Sequence, residues 1–385
     1  MMSRAERTVV SEWWWTVDRF LLFGFSALMV LGVVLSLAGS PPVAERIGLP
    51  PFHFVDRQVL FLIPSAVVMV AISFLNARQV RRLALVAFAG SFVLMMATLV
   101  IGPEIKGAHR WIAFGPLAIQ PSEFVKPAFV VLAAWLFAEG SKRRDMPGHL
   151  LSIGLFVAVV GVLVMQPDFG QTLLISLVWG LMFFMAGLRF RWMVGLGGVG
   201  LGGLFFAYKL VPHVRVRIDR FLNPDSGDTF QVDRALESFL SGGWLGKGPG
   251  EGTVKRVLPD AHTDFIFAVT AEEFGIIACL LLLMLFGLIV MRGLNHALRE
   301  EDGFVRLATA GLTMLFGLQA AINMAVNVHL MPAKGMTLPF ISYGGSSLLS
   351  LALATGMLLA LTRRRPRAEA LAAEIGAGAA LGQPA

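Results

Sequence analysis

The stretch from Phe20 to Ala38 reads FLLFGFSALMVLGVVLSLA, about 19 residues without a charge. At ~1.5 Å per residue, a helix of that length matches the ~30 Å hydrocarbon core of a bilayer. A secretory leader has an apolar region of only roughly 7–15 residues, so this stretch is expected to be a retained first span. Trp13, Trp14 and Trp15 lie just before it, where an interfacial aromatic belt would sit. The rest of the chain agrees. Of 385 residues, 56% are hydrophobic and 15% charged, and the mean hydropathy is +0.73. Soluble domains carry about 25% charged residues, so a water-soluble core of this size would lack polar surface to cover it. The same composition excludes intrinsic disorder.

Working outward, apolar runs long enough to span recur at 59–75, 83–101, 124–138, 151–165, 172–187, 193–210, 265–291, 305–328 and 337–361. The expectation is an all-α polytopic membrane protein with ten transmembrane helices. Its expected parts are an N-terminal segment 1–19, a membrane domain 20–362 and a disordered Ala/Gly-rich tail 363–385. Placing the N-terminus in the cytoplasm puts eighteen of the 32 basic residues on the inner side, as the positive-inside rule requires. They include Arg4, Arg78, Lys142, Arg189, Arg292 and Arg363. Both termini then lie inside. The net charge of +7 is accounted for by topology and does not call for nucleic acid. The single cysteine, Cys279, rules out an intrachain disulfide.

One segment outside the membrane is long, the outer loop 212–263 between the seventh and eighth spans. Within it Val232, Leu236, Phe239 and Leu240 recur at helical spacing, which predicts a short helix over 230–240 lying on the membrane surface. The glycine-rich run 242–252 reads as a flexible loop. It is no dinucleotide fingerprint, because no strand precedes it.

Polar residues within spans carry the functional information, because an intramembrane charge costs on the order of 2.5–3.5 kcal/mol even on the gentlest scale. They are Glu123 and Lys126, Asp168 and Gln171, Glu272 and Glu273, and Asn323 and Asn327, with Asp264 opening the eighth span. In the assigned topology all lie toward the outer side, which implies a polar cavity opening outward. Each also has a plain reading. Glu123 and Lys126 can pair on one helix face, Asp168 beside Pro167 can be a turn residue, and the asparagines can be interhelical glue. Glu272 and Glu273 are adjacent, hence about 100° apart on a helix, and are expected to face different neighbours. Asp264 can cap the first helical turn, or serve as a partly desolvated base. Outer-side cations at Arg57, Lys106, Arg110, Arg215, Arg217, Arg220, Lys255 and Arg256 suit a phosphate-bearing substrate. Each is equally readable as ordinary loop solvation. Seven histidines are scattered, without metal-binding spacing.

The runs LPFISYGGSS (338–347), LPDAHTDFIFAV (258–269), GAHRW (107–111), QPSEFVK (120–126) and QPDFG (166–170) together resemble the signature blocks of the SEDS family (shape, elongation, division, sporulation). The resemblance covers nearly all of 15–365. The pair Phe340-Ile341 and the DRFLNP start of the long loop are most similar to the division branch. One departure is Asp260, where relatives often carry Glu; charge is preserved. The resemblance implies a ten-span peptidoglycan glycosyltransferase in the bacterial cytoplasmic membrane at the division septum. It would polymerise lipid II, release undecaprenyl pyrophosphate, and work with a class B penicillin-binding transpeptidase (FtsI-like) and other divisome proteins. The family's essential aspartate carries over to Asp264. Its charged cavity residues carry over to Arg57, Lys106, Arg110, Glu123, Lys126 and Asp168.

Arg215 and Lys255 join that set from the cation reading alone. A divalent cation, magnesium or manganese, is an alternative to arginine or lysine for stabilising the leaving pyrophosphate. Two rivals remain, a lipid II flippase and a non-catalytic division scaffold. A transporter would place its polar groups at the membrane midplane on broken helices, whereas here they gather toward one side.

Overall fold

The structure, a computed structural model, describes residues 8–104, 108–114, 117–143, 145–187, 190–210, 215, 219, 230–332 and 335–364. Among these the chain is mostly helical, with one small hairpin. Helix α1 (Val9–Thr16) leads into α2 (Arg19–Arg46), α3 (His53–Ser73) and α4 (Ala77–Ile101). Strands β1 (Ile112–Phe114) and β2 (Leu117–Ile119) pair antiparallel, with Ile112 opposite Ile119. Then follow α5 (Pro121–Lys142), α6 (Gly148–Met165), α7 (Phe169–Met185) and α8 (Phe190–Leu210). The last four are α9 (Phe230–Gly242), α10 (Ile266–Arg299), α11 (Gly303–Asn327) and α12 (Gly345–Leu361). Seven of these, α2 to α6, α10 and α11, are long and apolar enough to cross a membrane. Helices α7 and α12 are shorter apolar helices. The protein is polytopic.

Helices α5 and α11 form the centre. In each, 67% of the apolar window is buried, against 22% in α3 and α4, whose outer faces are therefore left for lipid. Nearly all of α12 is buried between them and α3. Close crossings use glycine. At Gly32 of α2 an added Cβ would stand 2.1 Å from the Phe340 carbonyl oxygen, so only glycine lets that segment pass.

Two expectations are corrected here. The last span was expected from Thr337, but α12 begins at Gly345. Pro339 disfavours helix at the residue before it, and Phe340 turns the chain at φ 61° while fully buried. Residues 335–344 thus form a non-helical entry into the last helix. The expected helix over 230–240 is present as α9, and one of its faces packs on protein. Ala235 and Ser238 are buried, Phe239 meets Phe267, and the Gly242 Cα approaches Ala271 too closely for a side chain.

Finally, the glycine-rich run is held in place, where a flexible loop was expected. Helix α10 breaks at Gly275 (φ 82°, ψ 175°). The helical bonds from Ile276 to Glu272 and from Ile277 to Glu273 are replaced. The Lys247 and Gly248 amides donate to the Glu272 and Glu273 carbonyls at 2.9 and 3.0 Å. The Ile276 and Ile277 amides donate to Gly243 and Trp244 at 2.9 and 3.3 Å. The loop therefore satisfies the backbone groups that the break exposes, which a membrane environment requires.

Candidate active site

Asp264 sits in the turn 259–265 that feeds α10, and it is half-buried. Its backbone is held from α11. Both Asn323 Nδ2 and Asn327 Nδ2 donate to the Asp264 carbonyl oxygen at 2.9 Å. Asn327 Oδ1 accepts from the Ala268 amide at 3.1 Å, and Asn323 Nδ2 also donates to the Met336 carbonyl at 2.6 Å. The two asparagines are fully buried. They are interhelical links, as their plain reading held, and what they link is the Asp264 turn. The N-cap of α10 is Phe265, which makes no side-chain cap bond.

The two most distinctive sequence blocks meet at this turn. The Tyr343 amide donates to the His262 carbonyl at 3.0 Å, and the Phe54, His262 and Tyr343 rings form a triangle, with the Phe54 centroid 4.1 and 5.2 Å from the other two and those two 5.6 Å apart. Gly335 approaches the Asp264 carboxylate: a Cβ there would lie 3.5 Å from Oδ2.

A charged cluster lies one helical turn along. Lys126 Nζ is 3.0 Å from Glu123 Oε2 and donates to Gln319 Oε1 at 3.2 Å. Gln319 is four residues before Asn323, a rise of ~6 Å on the same helix face. Gln171 Nε2 donates to Glu123 Oε1 at 2.6 Å. Asp168 caps α7 by accepting from the Gln171 amide at 3.4 Å, and Arg110 Nη1 stands 3.8 Å from its carboxylate. Arg110 Nε also donates to the Gln166 carbonyl at 3.0 Å. Gln319 Nε2 reaches the Thr337 carbonyl at 3.2 Å, and Thr337 Oγ1 bonds Ser347 Oγ at 2.7 Å. Lys126, Glu123 and Asp168 are all buried. Arg110, Asp168, Glu123, Lys126 and the turn carrying Asp264 thus belong to one connected polar network. The plain readings of Glu123–Lys126 as a pair and Asp168 as a turn residue hold as well.

Other expected site residues fall elsewhere. Arg57 is exposed on α3, one turn beyond Phe54. Lys106, Arg217 and Arg220 lie outside the described residues. Arg215 is exposed and pairs with Asp219 at 3.7 Å. Lys255 departs from the expectation of an open, substrate-facing cation. It is buried, its ammonium paired with Glu273 and donating to the Ala38 carbonyl at 3.1 Å. Glu272 accepts the Thr253, Val254 and Lys255 amides at 2.6, 2.7 and 2.9 Å. The two adjacent glutamates therefore grip one segment, 253–255, which folds over the kinked helix. Gln319 was passed over in the sequence. Its signal was a lone amide in an apolar span, in register with Asn323 and Asn327.

Among the described residues no group of three His, Cys, Asp or Glu side chains is arranged to hold a metal. The acidic groups nearest the site are occupied by Arg110 and Lys126.

Comparison with known proteins supplies the family. A family model described as "Cell cycle protein" (FtsW, RodA, SpoVE) matches residues 18–366. A protein of Caulobacter vibrioides named "Probable peptidoglycan glycosyltransferase FtsW" is 48% identical over 379 residues, 98% of this chain and 97% of that one. Its namesake in Legionella pneumophila is 33% identical, covering 89% of this chain and 90% of the other. Among solved structures, one described as "Structural coordination of polymerization and crosslinking by a peptidoglycan synthase complex" superposes with TM-score 0.75 at 30% identity. It covers 90% of this chain and 97% of that chain. The rod shape determining protein RodA of Thermus thermophilus gives TM-score 0.67 at 29% identity, covering 91% and 97%. The match over nearly the whole membrane domain, on a chain whose signature blocks converge at Asp264, places this protein in the FtsW/RodA/SpoVE family of cell cycle proteins, the SEDS family.

Proposed function

We propose that this protein is a peptidoglycan glycosyltransferase that polymerises lipid II for septal wall synthesis, with Asp264 as its general base. The observation that carries the assignment of Asp264 is its mounting. Two buried asparagines fix its backbone, the 335–344 segment flanks its carboxylate, and the charged network adjoins it. The reaction is a single displacement. The acceptor's GlcNAc 4-hydroxyl oxygen attacks the donor's MurNAc anomeric carbon, and its proton passes to the Asp264 carboxylate. A β-1,4 bond forms as the bond to the α-linked pyrophosphate breaks, with inversion. One carboxylate suffices, in contrast to the pair used by glycoside hydrolases, because pyrophosphate leaves without protonation. Arg57, Lys106, Arg110 and Arg215 supply the positive charge for the pyrophosphate. Glu123, Lys126 and Asp168 hold the cavity's polar wall, and Lys255 acts by positioning the loop.

The proposed topology has ten spans, the seven long helices together with α7, α8 and α12, and both termini in the cytoplasm. The site then opens outward, on the side where the disaccharide of lipid II lies. Undecaprenyl pyrophosphate is the released product, and an FtsI-like class B transpeptidase is the partner that crosslinks the strands. The protein acts in the cytoplasmic membrane at the septum. The test is incubation of the purified protein with labelled lipid II and separation of glycan ladders on a gel. The Asp264→Asn variant is expected to make no polymer while still binding lipid II. Polymer from that variant at the normal rate would refute the assignment. Transfer of lipid II across vesicles, with no polymer from the unmodified chain, would instead indicate a flippase.

A further inference from the structure

At the opposite end of the helices, far from Asp264, a cavity of about 340 Å³ opens among α1, α2, α10 and the end of α12. Arg292 lies 17 residues beyond the Gly275 break in α10, ~26 Å along a helix. Arg19, Arg292, Arg364 and His296 line this cavity, with Asp18 as the carboxylate among them. Asp18 is already engaged: its Oδ2 is 2.7 Å from Arg292 Nη2 and 2.6 Å from His296 Nε2. Arg19 rests over the Trp14 and Trp15 rings at 5.1 and 4.8 Å. The Arg364 amide donates to the Thr16 carbonyl at 3.0 Å, which holds its residue at the rim. Neither Arg19 nor Arg364 has a carboxylate partner among the described residues. Three arginines thus line a cavity whose one carboxylate is already paired.

We propose that this cavity binds the phosphodiester headgroup of an anionic membrane lipid. Guanidinium forks match phosphate oxygens in pairs. Basic pockets between transmembrane helices, at the membrane face rich in Lys and Arg, are suited to such headgroups. What favours a lipid over a soluble phosphate is the apolar part of the lining. Trp15 and Phe20 belong to the same cavity and are 42% and 46% exposed. Phe20 stands in the first turn of a membrane span, where it meets acyl chains beside the headgroup. A lipid seated here would tie α1, the start of α2 and the end of α10 together. The inference is independent of the catalytic reading and needs only that α2 and α10 span a membrane.

Native mass spectrometry of the delipidated full chain tests it, with phosphatidylglycerol or cardiolipin set against phosphatidylcholine. Anionic lipid should be retained about fivefold more strongly, and Arg19→Gln with Arg364→Gln should remove most of that preference. Arg78→Gln with Arg82→Gln, on the start of α4 and outside the cavity, should leave it intact. Equal losses from the two pairs, or no preference at all, would overturn the proposal. Displacement of the lipid by millimolar glycerol 3-phosphate would overturn the lipid as ligand in favour of a soluble phosphate ester. Arg19→Lys with Arg364→Lys keeps the charge but loses the fork, and should halve retention; unchanged retention there also counts against the site.

Discussion

At the scale of single residues, the side chains around Asp264 do more than pack. Asn327 donates to the Asp264 and Asn323 carbonyls and accepts from the Ala268 amide, all without solvent. Replacing it by leucine removes one of two donors to the Asp264 carbonyl, Asn323 being the other, and one of two acceptors of the Ala268 amide, which keeps the Phe265 carbonyl at 3.0 Å; each lost bond costs ~0.5–1.5 kcal/mol. Asn327→Leu should therefore lower the unfolding temperature. It should also cut polymerisation at least about tenfold, since small displacements of a catalytic group are costly, with lipid II binding retained. Thermal unfolding and gel assays on the same preparation check this, and full activity in a destabilised variant would show that the clamp does not position Asp264. Gln319 serves similarly, joining Lys126 to the 335–344 segment through Thr337.

The decisive element is the broken helix α10 with the loop inserted at Gly275. Gly246 has φ +81°, and a Cβ there would come within 2.2 Å of the Glu273 carbonyl oxygen. Gly243 also has a positive φ, +58°, but nothing lies within 4 Å of its Cβ position. Gly243→Ala should thus incur only the left-handed backbone cost, ~1–2 kcal/mol. Gly246→Ala should be clearly worse, because the backbone-to-backbone fit must open. Unfolding midpoints of the two variants test the difference, and equal shifts would mean that the insertion is not tight. The same break explains how neighbouring glutamates grip one segment. Glu272 and Glu273 end the first helical piece, and residues 253–255 lie over its end.

For the whole molecule, the first and last described segments meet on one face. Trp13 Nε1 donates to Ser73 Oγ at 2.7 Å, and Arg363 Nε donates to Thr16 Oγ1 at 3.0 Å. Asp18 joins α2 to α10 through Arg292 and His296. Burial alone would raise the Asp18 pKa, but the bonds from His296, the Leu21 amide and Arg292 outweigh it and hold the carboxyl well below its ordinary value. A depressed carboxyl adds stability above its unfolded pKa, about 4, and loses it as pH falls below that. Relative to Asp18→Asn, the unmodified protein should hold an unfolding advantage at pH 7 that shrinks below about pH 4. An advantage independent of pH would show that the carboxylate's charge plays no part.

The sequence by itself determined the membrane class, the order of the apolar helices with bounds up to eight residues off, and which polar residues lie within them. These follow from local chemistry: length of apolar runs, and the cost of charge in hydrocarbon. The resemblance carried the family and singled out Asp264. Contact between elements distant in sequence was another matter. That Asn323 and Asn327 hold Asp264, that Tyr343 meets His262, that Lys255 is spent on Glu273 and that a glycine-rich run fills a helix break depended on tertiary structure. A local pattern states which residues are polar. Which partner satisfies each buried group is fixed only when helices from opposite ends of the chain are packed together.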